Sequence, residues 1–480
     1  MTEKESNTFY ISPFAERYST PEMLRLFSSD FKFRTWRKLW IALAEAQKAL
    51  GLDITAVQIK ELRAKSDDIN YADAREAEAR LKHDVMAHIH AYGKQCPKAK
   101  AIIHLGATSA YVVDNTDLIV LRSAYQLMEK ELTNVLARLA DFAEAQATVP
   151  TVAFTHFQPA QFTTVGKRAT LWMQELVLDL DEIDHRIETL RFLGVKGTTG
   201  TQASFLALFD GDHRKVKELD RRIGESMGFK ATYAVSGQTY SRKVDAQALA
   251  ALSGVAQSAH KFANDMRLLQ HLCEVQEPFG AEQVGSSAMA YKRNPMKCER
   301  ITSLARLVIT LAQNAAFTAA NQWFERTLDD SAGKRVAVPE AFLAADAILV
   351  LYHEVASAPA VFAEVIARNV KRELPFIATE NVLMAAVKAG GDRQALHEAI
   401  RRHSQAAAER VKNGEENDLL ERLEKDGMFA AVKGRIREMA RAENFTGRSA
   451  EQVKEFLASE VTPRLKARRA LLGWKAAAKV

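Results

Sequence analysis

The chain has few of the residues that break or staple structure. Its three cysteines (Cys96, Cys273, Cys298) in 480 residues are an odd number. They lack paired metal-ligand spacing, so they read as reduced thiols in a cytoplasmic protein rather than a disulfide framework. Only 22 glycines and 11 prolines leave little turn-forming chemistry, which favours long helices. No run of about 18 consecutive apolar residues occurs, so no segment reads as a membrane span. The opening MTEKESNTFYISPFAERYST has no basic region followed by an apolar one, so it does not read as a secretory signal. Charge of one sign is also scarce: 66 Lys and Arg stand against 60 Asp and Glu, a net +6. Interleaved in this way they describe a solvated surface rather than a nucleic-acid-binding face. A small polyanionic substrate fits the modest excess equally well.

What is present is helical periodicity. Leu118, Leu121, Tyr125, Met128, Leu132, Val135, Leu139 and Phe142 alternate in steps of three and four, one apolar seam on a helix of about eight turns. Trp172 to Leu190, Leu252 to Cys273 and Ile301 to Ala315 form three more stripes, and EAFLAADAILVLYHEV a fifth. These predict an all-α protein with a central long-helix bundle over residues 109–361. An N-terminal helical domain over 1–108 includes SSDFKFRTWRKLWIALAEAQKALG, with Trp36, Leu39, Trp40 and Leu43 on one face. A C-terminal helical domain over 362–480 has shorter helices punctuated by ELPF, KAGGDR and NFTGRS.

Polar clusters fall at the ends of the long helices. KHDVMAHIH and IHLGATSAYVVDNTD form the first, TVAFTHFQPAQFTTVGKR the second, and GVKGTTGTQ with SGQTYSRKVD the third. The fourth is VGSSAMAYKRNPMKCERI, followed by WFERTLDDSAGKR. Each has a plain structural reading. His83, His88 and His90 lack an HExxH pattern, and only His83 and His90 share a helix face, which speaks against metal. Thr155–His156 reads as a capping segment after Pro150. GTTGTQ lacks the Lys-Ser/Thr ending of a phosphate loop. LDDS reads as a helix cap, and a lone Arg326 as a surface residue.

In combination and in order, GSSAMAYKRNP, THFQPAQ and HLGATS resemble the fumarase/aspartase superfamily. Within it the chain is most similar to the animal-type adenylosuccinate lyase family. FRTWRKLW, KHDVMAH, IIHLGATS, DNTDLI, FTHFQPAQ, TTVGKR, GVKGTTGTQASF, GQTYSRK, QWFERTLDDSA, ELPFIATEN and FTGRS carry that resemblance across almost the whole chain. It implies a C–N lyase without cofactor or metal that eliminates fumarate from adenylosuccinate and from succinyl-aminoimidazole-carboxamide ribotide. It also implies a homotetramer built around the central bundle, with active sites shared between subunits. Another fumarate-releasing lyase such as argininosuccinate lyase, or a non-catalytic crystallin-like protein, is the alternative. A nucleic-acid-binding helical protein is a weaker one.

Breaking that bond requires a base for the proton beside a carboxylate, an acid for the leaving nitrogen, and positive groups for the charge-rich carboxylate. The resemblance implies Ser286 as base and His156 as acid, with Lys292 and Asn294 stabilising the intermediate and His83 also catalytic. It implies Arg17, Tyr18, Lys82, His83, Asp84, Thr108, Ser109, Thr155, Gln238, Arg300, Arg326, Ser331 and Arg335 as substrate-binding. A serine hydroxyl is a weak acid, so it needs Lys292, loop amides and exclusion of water to act as base. A Gly-Ser-Ser hinge that closes over substrate would supply that environment only when needed. Ala290 stands where the superfamily loop usually has proline, which bears on the stiffness of closure. Finally, about 30 helical residues separate GATS from THFQ, or about 45 Å. One chain cannot easily bring these clusters together, whereas oppositely running neighbours can.

Overall fold

A computed structural model describes residues 8–475. A single turn of π-helix, Phe14–Tyr18, precedes α1 (Pro21–Leu26), α2 (Ser29–Ala49), α3 (Ala56–Ala64), α4 (Tyr71–Leu81) and α5 (Asp84–Gln95). The bundle follows as α6 (Ser109–Ala145), α7 (Val165–Thr189), α8 (Ala203–Leu208), α9 (His213–Ser226), α10 (Lys243–His271), α11 (Met296–Ala320) and α12 (Asp329–Ser357). Then come α13 (Ala363–Ile377), α14 (Thr379–Lys388), α15 (Arg393–Lys412) and several shorter helices. The fold is all-α with two small antiparallel pairs. β1 (Pro150–Thr155) joins β2 (Gln158–Thr164), and β3 (Val275–Gln276) joins β4 (Ala360–Val361).

The heptad-like seam explains α6. Leu118, Leu121, Tyr125, Met128, Leu132, Val135 and Leu139 are each at most 2% exposed, the stripe facing α7 and α12. The stripes on α7, α10 and α11 are likewise in the core, whereas Cys273 lies beyond the end of α10, exposed, at φ 58°. The fifth stripe is longer than its sequence pattern. α12 begins at Asp329 and continues through Pro339, although proline removes one helix hydrogen bond and crowds the preceding turn. α12 is long and apolar enough to cross a membrane by composition alone, but 83% of its most apolar window is buried in the bundle.

The five long helices alternate in direction, which gives the bundle an upper and a lower end. α6 starts at the upper end, where Asn115 Nδ2 donates to Gly194 O beyond the end of α7 (3.1 Å). There too Arg242 at the start of α10 meets Asp114 at 2.8 Å, and Lys334 near the start of α12 meets Asp117 at 2.6 Å. α6 finishes at the lower end, beside the hairpin. There Thr151 Oγ1 donates to Glu274 just past α10 (3.3 Å), and Phe362 N to Glu274 O (2.9 Å). Val152, Phe162 and Val165 of the hairpin region pack on Ile366 and Val370 of α13. α14, α15 and the short helices as far as Met439 enclose an apolar core of their own around Leu396, Leu419, Leu423 and Phe429, whereas Val453 and Val461 beyond them pack into the bundle's core.

Candidate active site

The lower end carries two of the sequence-predicted groups. THFQ does not cap a helix. It is the connection of a two-residue hairpin, with Thr155 paired to Gln158 and His156 and Phe157 at φ 51° and 59°. Positive φ at both central residues is the geometry that matches strand twist, and glycine or asparagine normally supplies it. Here two bulky side chains hold it at a cost of about 1 kcal/mol or more each, offset by the apolar contacts of the strands with α13. The result is an exposed His156 at the hairpin tip.

The second lower-end group is the loop between α10 and α11. Glu277, 1% exposed, accepts from Lys297 N (3.0 Å) and Cys298 N (2.9 Å), so its carboxylate caps the first turn of α11. Gln270 Nε2 donates to Arg293 O (2.7 Å). The loop is pinched at its neck, where Asn294 Nδ2 donates to Gly285 O (2.8 Å). A Cβ at Gly285 would lie 2.1 Å from Lys292 O, so only glycine permits this approach. Beyond the neck Ser286 Oγ accepts from the amides of Ala288 (3.3 Å) and Met289 (3.1 Å). Lys292 is exposed on the outgoing strand of the loop.

The upper end gathers most of the predicted binding residues. Lys82 ends α4 in the left-handed region at φ 53°, which turns the chain so that His83 caps α5. His83 Nδ1 accepts from Met86 N (3.3 Å), so Nε2 carries the proton and donates to Ser109 Oγ (3.3 Å). Thr108 precedes Ser109 at the start of α6. Asp84 faces Arg335 at 3.6 Å and Lys32 at 3.9 Å. Arg326, Ser331, Arg335 and Lys32 line one cleft of about 210 Å³. Gln238 is fixed beside them: its N–H donates to Glu325 O (2.9 Å) and its Nε2 to Thr198 O (3.0 Å). A Cβ on the preceding Gly237 would lie 2.4 Å from Glu325 O.

Arg17, Tyr18 and Arg300 form a third group, near the first turns of α11 rather than at the upper end. The Arg300 guanidinium lies 5.5 Å from the Tyr18 ring.

Sequence reasoning missed the charges beneath the upper cleft. Arg242, 3% exposed, contacts Asp114, Asp330 and, at 3.9 Å, Asp245. Asp330 is no surface cap, being 1% exposed and bound to Arg326 at 2.8 Å as well. Burial pushes the carboxyls of Asp114 and Asp245 up. Burial acts on Asp330 too, but Arg242 and Arg326 hold it below the ordinary carboxylate range. Lys334 is kept above its usual range because Asp117 and Asp245 outweigh burial. The available signal was Arg242, Asp330 and Lys334 standing at the starts of apolar helices. His88 is a core residue stacked on Phe33 at 3.7 Å, and burial pushes it down to about 4. Among the described residues no three His, Cys, Asp or Glu side chains group as a metal site.

The family model described as Lyase matches residues 20–310, and that described as Adenylosuccinate lyase C-terminus matches residues 375–456. The chain is 50% identical to the adenylosuccinate lyase of Saccharomyces cerevisiae, covering 94% of this chain and 95% of that one. It belongs to the adenylosuccinate lyase family. It is therefore a C–N lyase of the fumarase/aspartase superfamily. Adenylosuccinate lyases of Schizosaccharomyces pombe and Schistosoma mansoni are 49% and 44% identical, each over 95% of both chains. The fold is shared more widely. A fumarate lyase from Mesorhizobium sp. BNC1 superposes with a TM-score of 0.80 at 22% identity, covering 94% of this chain and 100% of that one. A 3-carboxy-cis,cis-muconate lactonizing enzyme from Pseudomonas putida does so at 0.82 and 20%, covering 96% and 99%.

Proposed function

We propose that this family member splits adenylosuccinate into AMP and fumarate, and releases fumarate in the same way from succinyl-aminoimidazole-carboxamide ribotide. The observation that carries the reading is identity near 50% across almost the full length of adenylosuccinate lyases. Release of fumarate from adenylosuccinate, followed by its ultraviolet absorbance, tests it. No release by folded protein refutes it.

In this reading Ser286 removes the proton beside the carboxylate. The acting base is the Ser286 alkoxide, which becomes the hydroxyl as it takes that proton; beforehand the two amides on Oγ, and Lys292 once the loop closes and excludes water, stabilise the alkoxide. His156 protonates the departing nitrogen from the hairpin tip beside Thr155. Lys292 and Asn294 bind the charge-rich carboxylate, Asn294 also latching the loop neck. His83 orients Ser109. Lys82, Asp84, Thr108, Gln238, Arg326, Ser331 and Arg335 hold the nucleotide and succinyl groups, with Arg17, Tyr18 and Arg300. A phosphate and two carboxylates call for arginine forks and hydroxyls of this density.

The site is shared between chains in a homotetramer. The upper and lower groups stand at opposite ends of the 37-residue α6, about 55 Å apart. An oppositely running neighbour brings one chain's lower end to another's upper end. Apolar side chains on the outside of the bundle support that packing: Leu171 and Leu178 on α7, Leu307 and Phe317 on α11, which are 39% to 75% exposed. We assign three units, residues 1–108, 109–361 and 362–480, the last supported over residues 382–439 by a separate apolar core, while Val453 and Val461 pack into the bundle's core. The cytoplasm is the proposed location.

A further inference from the structure

Arg326 is a quarter exposed and belongs to the substrate-facing group, yet its guanidinium is not free to choose its direction. Its Nη1 donates to Asp330 Oδ1 at 2.8 Å. The other oxygen of the same carboxylate, Oδ2, accepts from Arg242 Nε. Arg242 in turn sits over the Tyr240 ring at 4.5 Å and meets Asp114 of α6 at 2.8 Å. Tyr240 is held by Asp245 at 2.6 Å, and its hydroxyl oxygen accepts from Lys334 Nζ at 3.4 Å. Thus one buried carboxylate joins three helices and one cleft-facing arginine. Its inner oxygen is tied to α6 and α10, and its outer oxygen aims Arg326.

Arg242 is already paired with Asp114 and flanked by Asp245, so the core does not need a third acid for charge balance. What Asp330 adds is direction: an Nη1 held by one charge-assisted hydrogen bond narrows the directions in which the Arg326 fork can point. An arginine restrained in this way loses less freedom when it binds an anion than a mobile one does. Gln238, two residues before Tyr240, and Ser331, next to Asp330, hang from the same junction.

We propose that Asp330, anchored by Arg242, is a positioning residue that orients Arg326 for an anionic group of the substrate. It touches no substrate itself. The inference rests on the lyase reading for its assay, and it extends that reading to residues outside the binding group.

The test is a double-mutant cycle on the full-length protein with adenylosuccinate. Asp330→Asn keeps the size and an acceptor oxygen but removes the charge from both arginine contacts. KM rises about 10-fold or more while kcat stays within about 3-fold, because the contact binds substrate and transition state alike. In an Arg326→Ala background the same substitution changes KM by less than about 3-fold, since nothing remains to be aimed. Should Asp330→Asn not fold, Arg242→Lys takes its place in the cycle: it keeps a buried cation but cannot hold Asp114 and Asp330 together. KM effects that multiply in the double variant overturn the proposal. So does a fall in kcat and melting temperature with KM unchanged, which would make Asp330 structural only. If the wild-type protein releases no fumarate, the lyase reading fails instead, before any variant is compared.

Discussion

Gly285→Ala isolates the geometry of the loop proposed to carry the base from its chemistry. The new Cβ would lie 2.1 Å from Lys292 O and 3.2 Å from Arg293 Cα. The first contact is with backbone, and real Cβ atoms essentially never approach within 3.0 Å, so the neck must open by about 1 Å. That displacement carries Ser286 and Lys292 out of register with a bound substrate, and a misplacement of about 1 Å costs on the order of 100-fold in rate. The loop lies outside the main apolar core, so the melting temperature moves by no more than about 2 °C. KM moves little, because the upper-end groups proposed to hold the nucleotide are untouched. Gly280→Ala is the matched control: its nearest neighbour, Gln283 Cβ, is 3.6 Å away, so it keeps near-normal activity. The assay is fumarate release beside a thermal melt of each variant. Gly285→Ala retaining more than about a third of wild-type kcat refutes the reasoning, and a collapse of the melt shows that the glycine serves the fold instead.

Ser286→Ala abolishes turnover while substrate still binds, measured as adenylosuccinate affinity by calorimetry; turnover near normal removes Ser286 as base. His83→Ala and Ser286→Ala, inactive singly, recover part of the activity when subunits are mixed and reassembled, because they lie at opposite ends of the bundle; mixed tetramers as dead as their parents disprove the shared site. His88→Ala lowers the melting temperature by several degrees and leaves kcat within about 3-fold, since His88 packs on Phe33; a kinetic loss matching that of His156→Ala would count against a packing role. Burial pushes Asp179 up to about 7. The folded state therefore keeps a proton that the unfolded chain gives up near pH 4. Stability falls as pH rises between those limits, by up to about 1.4 kcal/mol per unit. Asp179→Asn removes that slope, so its advantage in urea melts grows from pH 5 to pH 8; a constant difference across that range contradicts the assignment.

Much of this protein follows from local chemistry that any reader of the chain can apply. The seam from Leu118 to Leu139 needs only the helical period to bury itself, so α6 and its neighbours were legible without coordinates. The motifs at the helix ends marked the polar groups proposed to react, because polar clusters between apolar stripes have nowhere else to lie. Tertiary structure decided what periodicity cannot encode. His156 and Phe157 take positive φ only because the strands around them pack on α13; locally the segment resembles a cap. α12 continues through Pro339 because burial in the bundle outweighs one lost hydrogen bond. Arg242 and Asp330 are 88 residues apart, and although each stands at the start of an apolar helix, no local pattern names its partner. Their pairing exists because antiparallel helices return the start of α12 to the start of α10, where low dielectric makes an unpaired charge too costly to leave. Long-range partnership of this kind is set by chain direction and burial, which the linear order of residues does not display.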